Sequence, residues 1–204
     1  ACMAVASSTL FQVTGEQVWV ERAQQLLDAA IEHFADPAHL GSWFDTADDA
    51  EALVTRPRDP LDNATPSGAS TITEALLTAA TLVPADDAAR YSELAAAGLA
   101  DAVIVLERSP RSGGHWLTVA EASVRGPLQI AVSTATSGAE SALLTVARRH
   151  APGGTVVVAG VVDSAPLLAD RPTVDGRDTA YVCRGFVCDR PVTSELELVE
   201  ALQR

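Results

Sequence analysis

The spacing of apolar residues changes near residue 113, and this change constrains the fold more than any other feature of the chain. Before it, apolar residues recur every three or four positions, with polar residues between them, which predicts amphipathic helices. These helices are expected over residues 2–13, 16–35, 69–83 and 87–108. Short turns join them in pairs, so we expect two antiparallel helical hairpins, the unit of helical arrays.

After this point the pattern is that of a small α/β lobe. The predicted elements are strands at Leu128–Ser133, Thr155–Val162 and Thr179–Cys188, and helices over residues 137–150 and 193–202. A strand, a helix and a nearly continuous apolar strand in succession are typical of a parallel βαβ crossover that is covered on both faces. We therefore predict a mixed fold with helical hairpins in residues 1–112 and an α/β lobe with a closing helix in residues 113–204.

Charge and composition limit the partners of the protein. The net charge is −13, from 27 acidic residues against 14 arginines and no lysine. Such a surface repels phosphate backbones, so we expect no nucleic-acid partner. No apolar run reaches eighteen residues, which predicts no membrane segment. Three cysteines are too few and too unevenly placed for a disulfide-built scaffold, so we expect a reducing, cytoplasmic compartment.

The amino terminus gives a further expectation. It is apolar but lacks the basic leader of a signal peptide, and the single methionine is at position 3. This pattern indicates a fragment or a processed piece of a longer protein.

The loop Gly41–Ser70 connects the two hairpins and carries the residues with the most chemistry. It contains five aspartates and two arginines: Asp45, Asp48, Asp49, Asp59, Asp62, Arg56 and Arg58. A loop of this length is usually functional or disordered. Its apolar residues, among them Trp43 and Phe44, indicate that it is anchored to a core.

Carboxylates beside arginines are what sugar chemistry uses. One carboxyl group donates a proton, another accepts one, and planar guanidinium groups hold hydroxyls. Trp43 would supply an apolar wall for a sugar ring. Alternatively, Arg56 and Arg58 neutralise Asp59 and Asp62 and pin the loop, and the residues by themselves leave both interpretations open.

Two other groups of residues could in principle support metal or redox chemistry. Cys183 and Cys188 have four residues between them, whereas thioredoxin-like redox pairs have two and zinc sites need further ligands. Small buried hydrophobes are the favoured interpretation, with a redox role as the alternative. His33 lies near the carboxyl end of a predicted helix and His39 in the loop after it, and a lone histidine there more often interacts with the helix dipole than binds a metal. We therefore predict no metal ligand and no cofactor.

The loop resembles the long signature of thioredoxin-domain-containing proteins related to the spermatogenesis-associated thioredoxin-like protein. That signature reads roughly G-G-F-F-x-T-A-D-D, then R-x-K-D and D-x-A-x-P-S-G-N-S. The matching residues are Gly41, Phe44, Thr46, Ala47, Asp48, Asp49, Arg56, Asp59, Asp62, Ala64, Pro66, Ser67, Gly68 and Ser70. Ser42, Arg58 and Ala69 depart from it. The closing run TAYVCRGFVCDRPVTSELEL is similar to the end of the same family.

This resemblance implies a fold and a function. The hairpins would belong to an incomplete α/α toroid of the six-hairpin type, which N-acylglucosamine 2-epimerases and several glycosidases share. Asp48, Asp49, Asp59 and Asp62 are expected to act in catalysis, and Trp43, Arg56, Arg58 and Ser67 in substrate binding. The expected partners are a carbohydrate and the remainder of the same protein, with its thioredoxin-like domain and the rest of the toroid.

Most of the toroid bowl would lie outside this chain, so we expect the chain to be inactive by itself. The alternative is a module without catalytic activity that presents a protein partner to the thioredoxin-like domain.

Overall fold

The computed structural model describes residues 1–126, 128–135, 141–184 and 187–203. These residues form seven α-helices and one four-stranded mixed sheet, which confirms the prediction of a mixed fold with a helical part and a small α/β lobe. None of the described helices is long and apolar enough to cross a membrane.

The helical part contains the two predicted hairpins and one further helix. The helices are α1 (Cys2–Thr14), α2 (Val18–Phe34), α3 (Gly68–Ala79), α4 (Ala85–Arg108) and α5 (Gly114–Arg125). The first hairpin turns at Gly15, whose φ of 71° is a left-handed conformation that glycine adopts without strain. Helix α3 contacts each of the other four helices of this part: its hairpin partner α4, and α1, α2 and α5. Helix α3 is therefore the central element of the helical part.

The sheet has the strand order β2-β1-β3-β4. Its strands are β1 (Leu128–Ser133), β2 (Val156–Gly160), β3 (Thr179–Arg184) and β4 (Val187–Cys188). Strand β1 pairs with β2 in parallel through the crossover helix α6 (Ala142–His150), as predicted. Residues 137–140 of the predicted crossover helix lie outside the described residues. The third predicted strand is instead two antiparallel strands, because Cys183 and Cys188 face each other across a hairpin.

The two faces of the sheet contribute to two hydrophobic cores. Ala131 of β1 joins Phe11, Leu76 and Tyr91 in a cluster with the helical part. The alternate β1 residues Leu128, Ile130 and Val132 pack against α6 and the closing helix α7 (Glu195–Leu202). This alternation is the side-chain period of a strand that is buried on both faces.

The division into two domains at residue 112 stays a prediction. Helix α5 follows that boundary in the sequence, and it packs on α3 and α4 of the helical part. The core cluster that contains Ala131 likewise includes residues from both sides of the boundary.

Candidate functional site

The loop Gly41–Ser70 begins against helix α4, where two glycines meet. Gly41 has a φ of +80°, and a Cβ atom at this position would lie 2.3 Å from the backbone nitrogen of Gly98. A Cβ atom on Gly98 would in turn lie 2.8 Å from Oγ1 of Thr73. Only glycine allows backbones to approach this closely. The start of the loop is therefore fixed on the helical part.

Backbone hydrogen bonds then tie the loop to the end of α2. The amide of Phe44 donates to the carbonyl of Phe34 at 2.8 Å, and the amide of Asp48 donates to the carbonyl of His33 at 3.0 Å. Trp43 is 6% exposed, and its indole Nε1 is buried without a hydrogen-bond partner in the described part of the chain. As predicted, apolar residues anchor this loop.

Arg56 holds the middle of the loop through backbone carbonyls. Its Nη2 donates to the carbonyl of His33 at 2.9 Å and to that of Thr46 at 2.5 Å. Its ζ carbon lies 3.9 Å from the ring centroid of Phe44, and that of Arg58 lies 4.0 Å from the same centroid. The Phe44 ring thus packs against both guanidinium groups, a cation–π arrangement that orients them.

Arg58 pairs with a carboxylate that precedes the loop. Its Nη2 lies 2.6 Å from Oδ2 of the buried Asp36, and its Nη1 donates to Oγ of Ser42 at 3.2 Å. Hydrogen bonds from the Ala38 amide, from His39 and from Arg58 hold the pKa of Asp36 below its ordinary value. Arg58 therefore uses Asp36, where the sequence suggested Asp59 or Asp62 as its partner.

Asp62 is a buried carboxylate that joins the first turns of two helices. Its Oδ1 accepts from the Ser67 amide at 2.9 Å and from the Ser70 hydroxyl at 2.7 Å. Its Oδ2 accepts from the amides of His115 and Trp116 in α5, at 2.8 and 3.1 Å. Burial by itself raises the pKa of Asp62, but these four hydrogen bonds outweigh it, so the pKa is lowered.

Four donors occupy the lone pairs that a carboxylate offers. The contacts of Asp62 favour a structural role over the catalytic role that the sequence predicted. Ser67, predicted to bind substrate, is the N-cap of α3, where its Oγ accepts from the Ser70 amide at 3.0 Å.

The carboxylates of Asp48 and Asp49 lie close to the imidazole of His33. The Nδ1 of His33 lies 2.9 Å from Oδ1 of Asp48 and 4.0 Å from Oδ2 of Asp49. The hydrogen bond to Asp48 raises the pKa of His33 and lowers that of Asp48. Among the described residues, these three form the group whose ligand atoms are close enough to hold a metal ion. All three are accessible to solvent, and the hydrogen bond between His33 and Asp48 accounts for their arrangement.

Asp59 is exposed and makes local contacts. Its Oδ1 accepts from the amide of Leu61 at 3.0 Å, and its own amide donates to Oδ2 of Asp45 at 2.9 Å. The four predicted catalytic carboxylates therefore do not form one cluster. Asp48 and Asp49 lie at His33, Asp62 lies between two helices, and Asp59 belongs to neither group.

A cavity of about 370 Å³ lies between the start of the loop and helix α4. The buried indoles of Trp43 and Trp116 contribute to its wall, together with Ser42 and Arg58. On the α4 side it is lined by Asp101, an exposed carboxylate with no hydrogen bond or ion pair within the described residues. The cavity thus combines an apolar wall with a cation, a hydroxyl and a free carboxylate.

Of the predicted site residues, Trp43 and Arg58 line this cavity. Asp101 and Trp116 also line it and were not among the predicted site residues. One signal for Asp101 was available: Gly98 is unfavourable in a helix interior, and such a glycine indicates that another backbone packs nearby. Asp101 follows it by three residues and lies on the same side of α4.

Cys183 and Cys188 are joined by a disulfide bond, which corrects the interpretation of the pair as small buried hydrophobes; Cys183 is buried, but Cys188 is partly exposed. They are direct partners in the register of β3 and β4, an arrangement that depends on the hairpin. In the single strand predicted over Thr179–Cys188, the two side chains would lie apart.

No protein-family model matches this sequence, and no curated protein is significantly similar to it. The resemblance to the thioredoxin-domain-containing family therefore rests on the motifs in the sequence.

Proposed function

We propose that this chain is the carbohydrate-binding, carboxyl-terminal part of a helical toroid of the six-hairpin type, and that its ligand binds in the cavity between Trp43 and Trp116. The observation that carries this proposal is the composition of the cavity wall. Indole groups give an apolar surface, and Arg58, Ser42 and Asp101 offer polar groups to sugar hydroxyls. The volume of about 370 Å³ lies within the range of small-molecule sites, roughly 300–1,000 Å³.

Binding is favoured over catalysis because of the number of carboxylates. Glycoside hydrolysis uses two carboxyl groups on opposite sides of the scissile bond. Among the described residues that line the cavity, Asp101 supplies the one carboxylate. Asp36 lies nearby but already forms an ion pair with Arg58. A catalytic site would need a second acid from elsewhere in the proposed toroid.

The arrangement of helices also supports the toroid. Helix α3 contacts α1 and α5, and α2 and α4 pack on their hairpin partners and also contact α3 and α5, respectively. Contacts of each hairpin with the next helix along the chain are typical of stacked helical hairpins.

Calorimetry with a panel of neutral and N-acylated monosaccharides tests the proposal. We expect binding that Asp101→Asn and Arg58→Gln each weaken by roughly 10- to 100-fold, because each removes a charged hydrogen-bonding group. Asp59→Asn is the matched control, since this aspartate is on the same loop but outside the cavity. Absence of binding to the whole panel, or binding that all three variants retain, would contradict the proposal.

A second candidate is an interaction module without sugar chemistry, which would work with a thioredoxin-like domain. One observation favours it: Met3, Leu10 and Val13 are 64%, 39% and 64% exposed on α1, at spacings that place them on one face. In a larger protein this face would be covered. Leu10→Glu together with Val13→Glu should then weaken association with the rest of that protein, measured by pull-down, and the unaltered protein should bind no sugar of the calorimetric panel.

A further inference from the structure

The disulfide between Cys183 and Cys188 has one accessible end and one buried end. Cys183 in β3 is 1% exposed, whereas Cys188 is partly exposed and belongs to β4, the strand at the edge of the sheet. An incoming thiol therefore reaches the sulfur of Cys188 first.

A guanidinium group lies against both sulfurs. Nη2 of Arg171 is 3.4 Å from Sγ of Cys188 and 3.8 Å from Sγ of Cys183. Nη1 of the same group donates to the carbonyl of Leu167 at 2.6 Å and to that of Ala169 at 3.3 Å, which fixes its orientation.

Within the described residues, no carboxylate lies at ion-pair distance from Arg171, although the chain carries 27 acidic residues against 14 arginines. Half-buried Arg56 likewise makes no carboxylate ion pair within the described residues, but its hydrogen bonds go to backbone carbonyls, whereas Arg171 also reaches two sulfur atoms. The Nη2 group of Arg171 contacts the two sulfur atoms instead of a carboxylate.

We propose that Cys183 and Cys188 form a thiol–disulfide exchange site whose substrate is a thiol or dithiol reductant, and that Arg171 stabilises the thiolate released when the bond opens. The proposal does not depend on carbohydrate binding. It rests on the accessibility of one sulfur, the burial of the other and the position of the Arg171 guanidinium beside both.

The exchange requires two thiols in succession. The thiolate of the reductant attacks Sγ of Cys188, the S–S bond breaks, and its electron pair leaves on Sγ of Cys183 next to Arg171. A second thiol attacks the mixed disulfide and releases Cys188 as a thiolate. The protein disulfide gains two electrons and two protons, and two thiols of the reductant are oxidised to one disulfide.

The first test is the equilibrium between the oxidised and reduced protein in a dithiothreitol redox buffer, measured by alkylation and mass spectrometry. All variants carry Cys2→Ser, because Cys2 is a free, exposed thiol. Arg171→Met should shift the equilibrium about tenfold toward the disulfide, equivalent to about 30 mV for a two-electron couple. Arg171→Lys should shift it less, and Arg149→Gln, on helix α6, should leave it unchanged. Equal constants for Arg171→Met and the parent would overturn the role of Arg171.

A second test does not depend on the stability of the Arg171 variants. It compares single-cysteine proteins in the Cys2→Ser background under oxidised glutathione. The Cys183→Ser protein, which retains Cys188, should form a mixed disulfide much faster than the Cys188→Ser protein, which retains the buried Cys183. Equal rates, or the reverse order, would overturn attack at Cys188.

Discussion

Replacement of Asp62 by asparagine should destabilise the protein by about 3 kcal/mol. An amide keeps one acceptor oxygen and replaces the other with an NH2 group. The less costly orientation leaves the oxygen facing the amides of His115 and Trp116, because the Ser70 hydroxyl can rotate and accept from the new NH2 group. The Ser67 amide then loses its acceptor.

The magnitude follows from these contacts. A buried donor without a partner costs about 1–3 kcal/mol. Loss of a negative charge beside a helix N-terminus costs about 0.3–1 kcal/mol, and Asp62 lies beside two such termini. In a protein of this size, about 3 kcal/mol corresponds to a melting temperature lower by roughly 6–12 °C.

The assay is urea and thermal unfolding of the Asp62→Asn variant beside its matched control, Asp59→Asn. The side chain of Asp59 is exposed and accepts a single hydrogen bond, from the amide of Leu61, which an asparagine oxygen can also accept. The control should therefore stay within about 0.5 kcal/mol of the parent protein. If Asp62→Asn costs less than about 1 kcal/mol, the structural role of this carboxylate is refuted.

The pH dependence of the unfolding free energy tests the role of Asp62 in a second way. The pKa of Asp62 is lowered from the ordinary 3.8, so the folded state favours the charged form. Its contribution to stability is fully present above the unfolded pKa and is lost as the pH falls through the folded value. The difference in unfolding free energy between the parent and Asp62→Asn should therefore be constant above a pH of about 5 and should decrease below about 4.

Two further predictions test the loop. Asp48→Asn should lower the raised pKa of His33 toward its ordinary value, followed by NMR titration of the imidazole, and an unchanged pKa would refute the assigned cause. Gly41→Ala should cost at least about 2 kcal/mol more than Gly15→Ala in urea unfolding, because both have positive φ but only Gly41 approaches Gly98. Equal costs would contradict that close approach.

Local periodicity allowed most of the fold to be predicted. The helix Ala85–Arg108 begins within two residues of its predicted start, and β1 has its predicted bounds. The ion pair between Arg58 and Asp36 could not be predicted, because the loop offers many carboxylates and local spacing does not show which one is near. The disulfide was missed for a related reason: strand pairing is a long-range property that one apolar run does not reveal.

The structure gives a physical reason for the most specific part of the family resemblance. The motif that runs from Asp62 to Ser70 matches residues whose side chains and amides contact one another: Ser67 caps α3, Ser70 donates to Asp62, and Asp62 accepts from α5. One carboxylate thereby stabilises two helix N-termini, which carry partial positive charge. These residues would be required together even in a protein without catalytic activity. The motif is therefore evidence for how the helices are assembled, and the evidence for a ligand site lies in the cavity beside it, at Arg58 and Asp101.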